Sequence, residues 1–309
     1  MNRSLPLRHR RGAALMAVIW LIAILSMACM ATLRVISFDM DVSSAKIHGS
    51  RARQVAEMGI AIGSHNLVKR SDPLLHRMDE STGEGFDVTI TSEAGRFNIN
   101  WILASDDKDL LRDIFIKWGL ELDTAQEIAD AFKDWYDPDD NEELKGAEKD
   151  YYEKQGRINQ PFNRAFYDVN EMALVRGMEL VEAVRPDWRE WFTVLSGGGL
   201  SVNEASAELL AAAADISVEQ ADAVPEKVRG PDGIRDTTDD VMLELSDALG
   251  LLGVNSDDPV ISRRFSADDQ TQRIESIGMA EGTKRKITVV VTGRTGRPIL
   301  LERKEEIIP

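Results

Sequence analysis

The chain has 309 residues, a formal net charge of −16 and a pI near 4.8. Such a length supports about two domains, and the negative field repels phosphate backbones, which argues against nucleic acid as a partner. The only cysteine, Cys29, excludes an intramolecular disulfide and a cysteine zinc cluster, and all four histidines lie in the first quarter, which leaves the later chain without an imidazole base or ligand.

Residues 1–12 carry Arg3, Arg8, Arg10 and Arg11 and no acidic side chain, and residues 13–33 then carry no charge at all. About 20 apolar residues span a bilayer as a helix, and the basic flank keeps the N-terminus cytoplasmic. A secretory signal cut near Ala31, or a lipoprotein signal cut before Cys29, would end that helix near residue 30. Continuation is the third possibility, since no proline occurs between Pro6 and Pro73. A stripe of Val35, Phe38, Val42, Ala45, Gly49, Ala52, Ala56, Gly59 and Gly63 keeps helical spacing and becomes small-residue only toward its end. The expectation is one helix over 13–70, with 13–33 in the membrane. Its stripe, Val35 to Ala52 above all, would admit a partner helix or a sheet close to the backbone.

The alternation of Phe86, Val88 and Ile90 predicts a strand that turns at Gly95 into a second short one ending near Asn100. Apolar spacing is helical from Trp101 to about Leu252. Strands return at 272–279, 286–292 and 298–303, with VTGRTGRP as the last turn. The predicted fold is α+β: a long N-terminal helix packed on an antiparallel sheet built from 71–100 and 260–309, with a large all-α domain, 101–259, inserted between.

Carboxylates cluster twice. In DWYDPDDNEELKGAE, Asp137, Asp139, Asn141 and Glu148 fall on the first, third, fifth and twelfth positions of a calcium loop, preceded by Asp134. The sixth position is Glu142, where such a loop needs glycine. In RGPDGIRDTTDD the glycines and proline force a turn that gathers Asp232, Asp236, Asp239 and Asp240. Either cluster could hold a hard cation or be a solvated acidic surface. Paired carboxylates also admit glycoside hydrolysis, so a membrane-anchored periplasmic enzyme is the competing reading. The stretch SVNEASAELLAAAADISVEQADAV has a hairpin of helices, but its acidic surroundings suit packing rather than phosphate binding. The tryptophans, Trp188 and Trp191 in PDWREWF among them, suit a core.

The basic leader ending in Gly12, followed by AALMAVIWLIAIL, resembles the class III signal of type IV pilins and type II secretion pseudopilins. With EAGRFNIN, KDWYDPDD, GAEKDYY, DVNEMALVRGM and SVNEASAELLAA, the chain resembles the minor pseudopilin K family (the GspK family) over nearly its whole length. The resemblance implies cleavage between Gly12 and Ala13 by prepilin peptidase. It also implies sterile-alpha-motif-like and helix-hairpin-helix-like units in the insert, and calcium at the first acidic segment. It further implies a non-enzymatic subunit anchored by a single pass in the inner membrane, with its globular part periplasmic, that works with the inner-membrane secretion platform and with minor pseudopilins of the I and J types. The fifth-position glutamate of most pilins is Ala17 here, a departure shared by the K subfamily, and it implies a place at the tip.

Overall fold

The computed structural model describes residues 10–267, 270–294 and 296–308. Helix α1 runs unbroken over Arg10–Gly63, a length near 80 Å at about 1.5 Å per residue. It stops at Gly63, short of the expected residue 70, and turns follow as far as the short 3₁₀ helix Pro73–Leu75 that leads into the sheet.

The sheet has five antiparallel strands in the order β1 (His76–Asp79), β2 (Glu84–Ser92), β7 (Thr271–Ala280), β8 (Thr283–Thr292) and β9 (Ile299–Ile308). One face of β2, β7 and β8 alternates apolar residues that close on α1 around Ala56, Ile60, Phe86, Val88, Ile274, Ile287 and Val289. Small residues set the approach. A Cβ on Gly278 of β7 would lie 2.1 Å from the Ala52 carbonyl oxygen, and one on Gly59 would lie 2.2 Å from Ser276 Oγ. Two salt bridges to β9, Arg53 with Glu305 at 2.7 Å and Glu57 with Arg303, hold the other flank of the helix.

The expected hairpin within 85–100 is corrected. β2 pairs with β1 on one side and with β7 on the other. The short strand β3 (Phe97–Asn98) turns away and pairs in parallel with β4 (Phe192–Thr193) in the insert. The departure passes through Gly95, where the backbone runs so near the Glu204 carbonyl that a Cβ would stand 2.8 Å from that oxygen. β9 also runs five residues beyond the expected Arg303.

The insert is helical: α2 (Ile99–Ala104), α3 (Lys108–Lys117), α4 (Leu122–Tyr136), α5 (Lys149–Lys154), α6 (Met178–Val184), α7 (Ala207–Ala214), α8 (Val218–Ala221), α9 (Ala223–Val228), α10 (Leu245–Leu252) and α11 (Pro259–Arg264). A second parallel bridge joins β5 (Leu200–Ser201) to β6 (Phe265–Ser266), so the segment is not purely α. Its core is separate from the sheet's and is centred on Trp135, Trp188, Phe115, Phe132 and Tyr152. Trp188 is fully buried and Trp191 nearly so, which makes both packing residues. Asn98 caps α2 through its Oδ1 and donates its Nδ2 to the Ser196 carbonyl at 2.5 Å, anchoring the entry to the insert.

Candidate functional site

The first acidic segment begins in the last turn of α4. Asp134 is fully buried. Its two oxygens accept from the Glu143 N–H at 3.0 Å and from the Ala147 N–H at 2.6 Å, folding 137–148 back over the helix end. Gly146 makes this possible, since a Cβ there would fall 1.8 Å from Asp134 Oδ2. Burial pushes the Asp134 carboxyl up to about 6 against the pull of those amides.

Glu148 is only 6% exposed and its two oxygens have no donor. Burial first, then the charges of Asp134, Asp137 and Asp140, push it up to about 7. Asp137 is raised for the same first reason, and its Oδ1 is also buried without a donor. Two neutral acceptors share that condition, Gln160 Oε1 and Asn163 Oδ1. Asn163 reaches the loop directly: its Nδ2 donates to the Asp139 carbonyl at 2.9 Å and to Asp140 Oδ1 at 3.2 Å. Asp139 itself caps the Asn141 N–H at 2.8 Å in a local turn, and Asn141 is exposed. Among the described residues no three carboxylate, histidine or cysteine side chains converge as a finished metal cage.

Buried acceptors without donors are costly, and a group of them belonging to carboxylates and amides has the chemistry of a hard cation's oxygen shell. Calcium fits that donor set. Asp137 and Glu148 would hold it, with Asp140 and Asn163 close by and Asp134 as the brace that shapes the loop. Of the residues that the calcium-loop spacing picked out, Asp137 and Glu148 carry buried oxygens without donors, while Asn163, which reaches the loop from outside that spacing, has no spacing signal.

The second segment differs. Asp239 Oδ2 accepts from the Asp232 N–H at 3.0 Å, Asp240 Oδ2 from the Asp236 N–H at 2.8 Å, and Asp232 Oδ1 from the Ile234 N–H at 2.7 Å. Arg235 faces Asp240 at 3.6 Å, and Arg70 faces Asp236 at 3.8 Å. The turn gathers the four aspartates as the glycines suggested, but backbone amides and arginines already occupy them. None of their oxygens is a buried acceptor without a donor.

The helical stripe divides. Gly49 and Ala52 are buried against the chain's own sheet, under Arg285 and Gly278, so they are not free for a partner. Val35, Phe38 and Ala45 are exposed, and Val42 is half-buried. Between Ala14 and Gly63, α1 is long and apolar enough to cross a membrane, and its most apolar window touches nothing else in the protein. The backbone at Gly12 and Ala13 is helical, while their side-chain environment lies outside the described residues, as does the leader up to residue 9.

A helix with a naked apolar half, laid by its small-residue half on an antiparallel sheet, defines a pilin-like subunit, here with a helical insert. Residues 95–196 match the family model of type II secretion system protein K. The chain is 25% identical over 328 residues to type II secretion system protein K of Pseudomonas aeruginosa, covering 96% of this chain and 93% of that protein. It is 30% identical over 171 residues to the protein of the same description from Dickeya chrysanthemi, covering 52% of this chain and 46% of that one. Its fold matches a chain in the crystal structure of the GspK-GspI-GspJ complex from enterotoxigenic Escherichia coli, with a TM-score of 0.59 at 16% identity over 88% of this chain and 99% of that one. The chain is thus similar to type II secretion system protein K over nearly its whole length, in sequence and in fold, which supports a minor pseudopilin of that system.

Proposed function

We propose that the chain stands at the tip of the type II secretion pseudopilus, where it initiates and caps assembly. The position of the insert carries this reading. Gly63, at the end of α1 remote from the apolar anchor, packs on Ile274. At that same end of the sheet Ser92 and Gln272 are paired neighbours, and the chain leaves there for the insert. The insert therefore rises where a further subunit would have to stack. Ala17 agrees with it, because a subunit without the fifth-position carboxylate has no charge to offer the buried ammonium of a neighbour.

In this reading prepilin peptidase cuts between Gly12 and Ala13. The mature chain is held in the inner membrane by 13–33, with its globular part in the periplasm. The exposed upper stripe, Val35, Phe38 and Ala45, meets minor pseudopilins of the I and J types. Those partners are the ones in the solved complex of the related protein, and the inner-membrane secretion platform receives the assembly. Calcium at Asp137 and Glu148 stiffens the acidic loop. The work done is structural, and no bond-making step is assigned to the acidic residues.

N-terminal sequencing of membrane-extracted protein is expected to begin at Ala13, and replacing Gly12 by a bulky residue to leave the precursor in the membrane. An N-terminus at Met1, Cys29 or near Thr32 would remove the basis of the processing step. Ala17→Glu is expected to impair secretion more than Ala17→Val. Recovery of the chain along the whole fibre at major-subunit stoichiometry would refute the tip position.

A further inference from the structure

The sheet and the insert meet across a cleft of about 150 Å³ that the assembly reading leaves unused. Four cations line it: Arg96 from the turn before β3, Arg189 from the insert, Arg273 of β7 and Lys304 of β9. Only two carboxylates, Asp168 and Glu302, share the lining. Two further carboxylates, Glu93 and Glu182, lie outside the lining and pair with Arg273 and Arg189, so the charges balance overall and the question is which cation is left without a partner.

Three of the cations have carboxylate partners. Arg273 donates through Nε to Glu93, whose other oxygen accepts from Thr193 Oγ1. Arg189 gives Nη1 to Glu182 at 2.7 Å and Nε to Asn170 Oδ1 at 3.1 Å. Lys304 lies 2.9 Å from Glu302 and 3.4 Å from Asp168. Both rim carboxylates are thereby engaged, Asp168 also accepting from the Asn170 N–H and Nδ2, each at 2.7 Å.

Arg96 is different. It is half-buried, and among the described residues its guanidinium has no side-chain acceptor. Partial desolvation of an unpaired cation is unfavourable, and the planar guanidinium fork fits an oxyanion. Beside it, Arg273 has only Nε engaged, and Arg189 keeps Nη2.

We propose that this cleft binds one small oxyanion, a carboxylate or a phosphate, with Arg96 as its main ligand and Arg189 and Arg273 in support. The volume suits a single anionic group and falls short of the roughly 300 Å³ at which drug-sized ligand pockets begin. Because the walls come from both the sheet and the insert, the anion would tie the two together beside the Lys304–Asp168 bridge. The site is independent of the tip position and of the acidic loop.

The test uses the full mature chain in detergent micelles, titrated separately with inorganic phosphate and with N-acetylglutamate amide, at ionic strength held constant with chloride. Tryptophan fluorescence reports on the cleft, since Arg189 stacks 4.4 Å from the Trp188 ring centroid. A saturable response is expected in the parent and a response weakened about tenfold or more in Arg96→Ala, the loss expected for one charge-assisted pair. Arg96→Lys should retain part of it, and all three proteins should melt within about a degree or two of one another in chloride, because among the described residues the Arg96 side chain holds no hydrogen bond or ion pair. Saturation by phosphate alone assigns a free ion, and saturation by the amide assigns a protein side chain. No saturable response to either anion, or equal responses in parent and Arg96→Ala, would overturn the proposal.

Discussion

Glu148→Gln separates a cation-binding acidic loop from a merely crowded one. In chelator the parent carries a carboxyl raised from 4.5 to about 7. A folded value above the ordinary one means that the protonated form favours the fold. That contribution is complete below about pH 4.5 and is lost as pH rises through about 7. At about 1.36 kcal/mol per unit the loss is roughly 3 kcal/mol as an upper bound, since any solvent reaching the loop screens it. Glutamine keeps the shape and cannot ionise. In chelator at pH 8 the variant is therefore expected to be more stable than the parent by up to about 3 kcal/mol, with the two converging near pH 4.5. Calcium should reverse the order. A cation at hundredfold excess over its Kd adds about 2.7 kcal/mol to the parent and little to the variant. Differential scanning calorimetry in chelator and in calcium, across this pH range, reads both effects, at about 2–4 °C per kcal/mol. If Glu148→Gln melts below the parent in chelator at pH 8, or gains as much from calcium, the account of the loop is wrong.

The second acidic segment supplies the control: Asp239→Asn should leave the calcium-dependent rise in melting temperature intact, because its carboxylate serves the Asp232 amide and Thr237. Gly278→Ala places a Cβ against the backbone of Ala52 and Ala56 and should lower stability by about 1–3 kcal/mol in denaturant titration, the usual cost of overpacking. Arg264 forks onto Asp107 at 2.6 and 2.8 Å and donates to the Ala213 carbonyl at 3.1 Å. Arg264→Ala should cost about 1.5–3 kcal/mol by leaving the half-buried Asp107 carboxylate without its charged partner, and adding Asp107→Asn should recover part of it in a double-mutant cycle.

The long helix, the returning strands and the helical middle were legible because each has a period: three or four in α1 and the insert, two in β2, β7 and β8. Strand β1, His76–Asp79, was not. All four of its residues are exposed, so no apolar alternation marks it, and only its pairing with β2 makes it a strand. The turn at Gly95 was visible, but its direction was not, because the carbonyl that demands glycine there belongs to Glu204, more than a hundred residues away. In the acidic loop, local spacing picked out Asp137 and Glu148, whose buried oxygens lack donors in the structure. The role of Asp134 as a receiver of backbone amides, and the approach of Asn163, depend on how 137–163 folds back. Asn141 filled a template position, but its side chain is exposed and its backbone N–H is capped by Asp139. Gly49 and Ala52 showed the same limit from the other side: small residues announce close approach without saying whether the approaching surface is another molecule or the chain's own sheet.

The pairing of Ser92 with Gln272 means that, seen from the sheet, β2 and β7 are two arms of one hairpin and the entire insert is its loop. Loop-closure entropy grows only logarithmically with length, and here the two ends meet directly, the Glu93 N–H donating to the Thr271 carbonyl at 2.9 Å, while Ala94 is tied to Ser201 at 2.7 Å and Ser201 in turn pairs with Ser266. The sheet therefore needs nothing from the insert except that its two ends leave side by side. A short reverse turn in its place would close the same register, so the protein is a modular object in which a small scaffold displays an exchangeable headpiece.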